Sequence, residues 1–305
     1  MKKRFIVGLL LFVYFATTQT AQNPADFTGS LLWKVSGKEL SKPSYIFGTY
    51  HLMSSELMNE ISGLKEAFEM TDQIIGELNL EDMIALQTKM MQAIRLSEEE
   101  SYKNLLPEDE YLLLDGGLKN IFGAGLDQLG TIKPGFLSMQ IYLIIYTQIN
   151  PAFNPMTFEA IDAYLQRIAR ENNKPSIGLE TIEDQINAAF YGDTQLNQMK
   201  ALICTVENLE YGIKYLKTMT SDYLSGNLFK IYNDVFEYEN NPCREFSLSS
   251  MNRLNKNRND KWIEQLPAMM REKPSLIVVG ALHLAGDVGI LYLLSKMGYA
   301  VEAVK

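Results

Sequence analysis

The chain has 305 residues, 47% of them hydrophobic, and a formal net charge of −9. That is enough apolar material for one large domain or two small ones. The acidic balance argues against nucleic acid or an anionic membrane surface as a partner, and no low-complexity tract suggests a disordered or fibrous chain.

Lys2, Lys3 and Arg4 precede an apolar run from Phe5 to Ala16, then the small and polar stretch Thr17 to Gln22. This pattern reads as a cleavable secretory signal over residues 1–21. The run is shorter than the roughly 20 apolar residues of a membrane span, and no later stretch is long enough. Losing the three cations takes the net charge to about −12. The expected mature protein, residues 22–305, is therefore exported to the periplasm or secreted, with no integral membrane span.

Leu31 to Val35 and Tyr45 to Phe47 flank turn chemistry at Ser41-Lys42-Pro43-Ser44, which predicts a β-hairpin. Ser54 or Ser55 can cap a helix whose apolar positions are Leu57, Ile61, Leu64 and Phe68. Gln73 to Leu78 reads as a short strand with Glu77 at its end. From Glu81 to about Lys273 the pattern is mostly helical. Leu106-Pro107-Glu108 is a helix start. Thr131 to Gly135 breaks the pattern before a very apolar helix through Ile145. Phe158, Ile161, Leu165 and Ile168 line another helix face, and Asp162 on that helix reads as structural. Pro175 to Thr181 is a strand carrying Glu180, and helices follow over Asp193–Tyr238 and Leu248–Met270. The chain closes as strand, helix, strand: Leu276–Val279, then a helix over Val288–Lys296 capped by Asp287 and ended by Gly298, then Tyr299–Val304.

The only two histidines sit in near-copies of one context. Tyr45-Ile46-Phe47-Gly48-Thr49-Tyr50-His51-Leu52 and Ile277-Val278-Val279-Gly280-Ala281-Leu282-His283-Leu284 are each an apolar run followed by Gly-x-x-His-Leu. Such runs read as buried strands, and each His then lies just past a strand's C-terminal end, where open α/β sheets bind ligands. Two such strands side by side would bring both imidazoles to one rim. The only cysteines, Cys204 and Cys243, can close a disulfide in an oxidising compartment, and the sequence leaves the pairing open.

Four blocks in order resemble the TraB/GumN family, which includes bacterial GumN-like proteins and the animal Tiki proteases. They are Gly48 to Leu52, Glu77 in Ile-Ile-Gly-Glu-Leu, Gly178-Leu179-Glu180-Thr181 with Gln185, and Gly280 to Gly289 followed by Leu293-Leu294 and Gly298-Tyr299. Lys133-Pro134 and Arg258-Asn259 also look like family positions, and the match runs over roughly residues 30 to 304. The resemblance implies an α/β fold with a mixed central sheet, flanking helices and a large, mostly helical insertion, in a single domain over residues 22–305. It also implies a site built from both His motifs and a Glu, and hydrolysis by a metal-dependent protease.

In the metal reading, His51, Glu77 and His283 hold a divalent ion, and two His plus one carboxylate leave coordination positions open for hydrolysis. Mn, Co, Zn and Fe all suit that set. Glu180 is the candidate proton acceptor. In a metal-free reading, one His oriented by Glu77 is a general base and Arg258 stabilises an oxyanion, on an ester, lactone or amide. A third reading is a binding protein that sequesters a peptide or polysaccharide intermediate without hydrolysis.

Overall fold

Residues 22–236, 241–244 and 252–305 are described by a computed structural model of the chain. The expected signal segment, the Tyr238 end of one expected helix and the Leu248 start of another lie outside these residues. β1 (Leu32–Ser36) and β2 (Ser44–Thr49) form the expected hairpin, antiparallel with Leu32 opposite Phe47. β3 (Gln73–Gly76), β4 (Ser176–Gly178), β5 (Ser275–Gly280) and β6 (Ala300–Ala303) complete one six-stranded sheet in the order β4-β3-β5-β2-β1-β6. β4, β3, β5 and β2 run parallel, and β1 opposes both β2 and β6. The sheet is therefore mixed, as expected.

Its middle strands are buried. Ile46, Phe47, Ile74, Ile75, Leu276 and Ile277 are almost wholly hidden from solvent, which fits runs that are apolar on both faces because helices cover both. The helices labelled here are α1 (Leu64–Met70), α2 (Met83–Ala93), α3 (Glu108–Phe122), α4 (Pro134–Ile149), α5 (Ile161–Glu171), α6 (Gln195–Glu207), α7 (Leu209–Leu224), α8 (Leu228–Phe236), α9 (Asn257–Glu272) and α10 (Ile290–Lys296). Most fall between β3 and β5, so the helical insertion is present, with β4 inside it.

Two elements differ from the sequence reading. The helix expected from Ser54 onward is a 3-10 turn, Ser55–Asn59, and a separate α1. Gly63 divides them at φ +75°, a conformation that L side chains rarely adopt. The final helix starts at Ile290 with Gly289 as its cap, not at Val288 after Asp287. Asp287 instead accepts from the Tyr232 hydroxyl at 3.1 Å. Gly298 ends the helix at φ +87°, as the sequence indicates.

Candidate functional site

The parallel strands carry the candidate residues to one rim. His51 lies two residues past β2, Glu77 one past β3, Glu180 two past β4 and His283 three past β5. β2 and β5 are direct neighbours, with Thr49 paired to Gly280. The two Gly-x-x-His motifs are therefore offset by one position. Gly48 permits this approach: a Cβ there would stand 3.1 Å from both the Ala281 Cα and the Leu284 Cδ2. A cavity opens at the rim, walled in part by Thr49, Tyr50, His51, Glu77, Arg258 and His283.

The two imidazoles occupy different settings. His283 sits on a 3-10 turn, Ala281–Leu284, and its side chain is 7% exposed. Its ring lies 4.4 Å from that of Trp262 on α9. Asn259, also on α9, donates from Nδ2 to the carbonyls of His283 and Val288 at 3.0 and 2.8 Å. Those bonds orient the Asn259 amide, so its Oδ1 accepts from His283 Nδ1 at 2.7 Å. The His283 Nε2 lone pair is thereby left to face Arg258 and Glu77. Burial draws the His283 imidazolium down to about 3, against the pull of Glu77 and with the push of Arg258 and His51. His283 is neutral at physiological pH.

His51 lines the open cavity. Its Nδ1 donates to Asp162 Oδ2 at 3.0 Å. Desolvation works against its charged form, but the Asp162 hydrogen bond and charge, with the Glu77 charge, push it up to about 9. Its side chain is 62% exposed and stands on the cavity wall with Glu77 and Arg258. Asp162 Oδ1 is buried without a hydrogen-bond partner, which leaves the carboxylate committed to His51.

Glu77 is held from several sides. Its Oε1 accepts from the Gly280 N–H at 2.8 Å, and its Oε2 accepts from Gln185 at 3.2 Å and Arg258 Nη2 at 2.6 Å. Burial pushes its carboxyl up, but the facing imidazoles, Arg258 and the Gly280 N–H outweigh that and hold it down at about 2. Arg258 also donates to His283 Nε2 at 3.1 Å and stacks over Trp262 at 4.7 Å. Glu180 accepts Arg258 on both oxygens, at 3.0 Å and 2.5 Å. Glu180 is thus absent from the cavity wall and stands behind Arg258 as its anchor. Arg258 and Asn259 follow a π-turn, Asn252–Lys256, that leads into α9, a deviation common at functional sites.

The sequence marks Asp162 as structural and assigns Asn259 no role. Asp162 is 111 residues from His51, and an acid in the first turn of α5 reads as ordinary helix-dipole compensation. The pairing of Arg258 and Asn259 on one turn was the only available signal for the second.

The donor chemistry suits a divalent ion. Both histidines engage Nδ1 with an acceptor, the arrangement that fixes metal-binding imidazoles by their Nε2, and Glu77 supplies an ionised carboxylate. Arg258 already hydrogen-bonds two of these three groups, and among the described residues no three His, Cys, Asp or Glu side chains close on a single point. An ion would take the place that the guanidinium now shares.

Cys204 on α6 and Cys243 are joined, with an S–S distance of 2.01 Å, which settles the pairing the sequence left open. Among the described residues no helix is long and apolar enough to cross a membrane. A profile of the TraB/PrgY/gumN family matches residues 31–303. Among curated proteins, the chain is similar to Metalloprotease TIKI2 of Danio rerio, 23% identical over 322 residues that cover 90% of this chain and 60% of the relative. It is also similar to a Metalloprotease TIKI homolog of Amphimedon queenslandica, 22% identical over 340 residues, covering 95% and 63%. The chain thus spans about three fifths of the length of these relatives. No solved structure matches it significantly.

Proposed function

The chain belongs to the TraB/PrgY/gumN family, and from that premise we propose that it is an exported, metal-dependent hydrolase that cleaves peptide bonds. The observation that carries this reading is the treatment of the two histidines: Asp162 and Asn259 each take an Nδ1–H, leaving both Nε2 atoms as donors beside the Glu77 carboxylate. Export rests on the basic-then-apolar N-terminus and on the Cys204–Cys243 disulfide, a bond that persists in oxidising compartments. Residues 22–305 act as one domain.

His51, Glu77 and His283 are the groups that would hold the ion. When bound, a divalent ion supplies Lewis acidity toward a carbonyl and a more acidic water. The chain's other residues position the site. Asp162 and Asn259 fix the imidazoles, and Gly280 and Gln185 fix Glu77. Glu180 retains Arg258 at the cavity edge, where its five N–H groups are shared among Glu180, Glu77, His283 and the Leu254 carbonyl.

A metal-free acid–base hydrolase draws support from one observation, the occupation of Glu77 and His283 by Arg258. It requires a neutral imidazole with a free lone pair. His51, pushed up to about 9, carries a second proton at neutral pH in the ion-free protein, which a bound ion would displace but a general base could not do without. The His283 lone pair is engaged by Arg258. The metal reading is preferred because an ion would displace both the His51 proton and the guanidinium that now covers His283. The test compares metal content and peptide hydrolysis in wild type, His51→Ala and His283→Ala. Each variant should lose both together, and retention of activity in a metal-free variant would transfer the assignment to acid–base chemistry. Tight peptide binding without hydrolysis under any metal would favour a sequestering protein.

A further inference from the structure

The segment that carries His51 leaves the sheet before it reaches the imidazole. β1 begins at Leu32, opposite Phe47, so Gly48 stands one residue beyond the paired part of that edge. The Gly48 N–H still donates to the Leu31 carbonyl at 2.9 Å. In a hydrogen-bonded antiparallel pair the two residues exchange both bonds. Here the Gly48 carbonyl takes its donor from the helical insertion: the Tyr223 hydroxyl, on α7, donates to it at 3.0 Å. On the other edge β2 keeps its pairing to β5 as far as Thr49, opposite Gly280, and no further. Asp162 orients the His51 ring, but the backbone of His51 needs another support.

Tyr223 is placed to give it. The residue is 2% exposed, lines the rim cavity and sets its ring 5.6 Å from that of Tyr50. The Tyr50 backbone N–H faces the same phenol oxygen that donates to Gly48. One hydroxyl thus engages the chain on both sides of Thr49. Burial pushes the Tyr223 phenol up, so it keeps its proton and remains a donor. The helix behind it is held as well. Asp222, the preceding residue, accepts from Lys230 Nζ of α8 at 3.0 Å, and the Cys204–Cys243 disulfide closes the loop that contains both helices.

We propose that Tyr223 is a positioning residue for His51: its hydroxyl, bound to Gly48 and facing Tyr50, holds the arm between β2 and His51 so that the imidazole is presented toward Glu77 and His283. The inference rests on the reading of His51 as an ion ligand for its purpose, while the effect on His51 is measurable with no ion present.

Tyr223→Phe keeps the ring and removes the hydroxyl. Tyr102→Phe is the matched control, because Tyr102 is 1% exposed, donates its hydroxyl to the Ile132 carbonyl at 2.9 Å and is absent from the cavity wall. The chain has only two histidines, so isotope-labelled histidine gives two ring systems by NMR, assigned with His51→Ala. In chelated protein at one fixed pH, Tyr223→Phe should shift or broaden the His51 ring signals and leave those of His283 in place. It should also weaken Mn²⁺ binding by about ten-fold, the loss expected when the support of a metal ligand is removed. Tyr102→Phe should leave both readouts at wild type. Unmoved His51 signals, equal disturbance of both rings, an equal effect of Tyr102→Phe, or failure of Tyr223→Phe alone to fold would each overturn the proposal. Unchanged Mn²⁺ affinity in Tyr223→Phe would spare the metal reading and remove this one. Wild-type protein that binds no ion, with His51 signals that still move in Tyr223→Phe alone, would remove the metal reading and uphold the positioning of His51.

Discussion

Arg258 donates from Nη2 to Glu77 Oε2 at 2.6 Å, and this buried pair governs what else Glu77 can hold. The same guanidinium touches His283, so one internal cation covers two of the three proposed ion donors. Two cations repel strongly at such separations. Arg258→Met combined with Glu180→Gln removes the charge without stranding Glu180. This double variant should bind Mn²⁺ at least about ten-fold more tightly than wild type by isothermal titration. Unchanged or weaker affinity would show that Arg258 does not compete with the ion.

Asp162 should act through His51. Removing the partner of a metal-binding imidazole typically weakens the metal by about 10–100-fold. Asp162→Ala should show that loss in the same titration. Its effect on stability should stay within about 1 kcal/mol, because the pair opens onto the cavity. A variant with wild-type affinity would reduce Asp162 to a structural residue.

Asn259→Leu should cost more. It removes four hydrogen bonds, to Asn255, His283 O, Val288 O and from His283 Nδ1, and takes away the Asn259 partner of the His283 and Val288 carbonyls. Unfolding by urea should show a loss of about 2–4 kcal/mol, from the desolvated groups left without partners. A loss under about 0.5 kcal/mol would contradict the buried network.

Much of this site was legible in the sequence. Paired apolar runs ending in Gly-x-x-His specified buried neighbouring strands, since a strand covered on both faces needs no polar alternation. Glu77 and Glu180 ended their own strands in the same way. The unequal setting of the two histidines was not legible. It follows from the one-residue offset between β2 and β5 and from α9 covering only His283. Asp162 and Asn259 reach their partners through tertiary packing, which leaves no local pattern. The break at Gly63 was hidden because Leu57, Ile61, Leu64 and Phe68 keep a helical period across it.

The Cys204–Cys243 bond closes a loop of 39 residues that carries α7 and α8. Chain-entropy reasoning assigns such a link about 4 kcal/mol. Cys204→Ser with Cys243→Ser should lower the unfolding free energy by a comparable amount in urea. No change would mean that the link adds nothing to the fold.

The central claim is that hydrolysis needs an ion held by His51, Glu77 and His283. The most direct measurement follows peptide hydrolysis by the purified mature protein before chelation, after exhaustive chelation, and after titration with divalent ions. The account predicts no hydrolysis in the stripped protein and recovery that saturates near about one ion per chain, the stoichiometry of a single two-His, one-carboxylate site. Undiminished hydrolysis by protein shown by elemental analysis to hold no metal would contradict it.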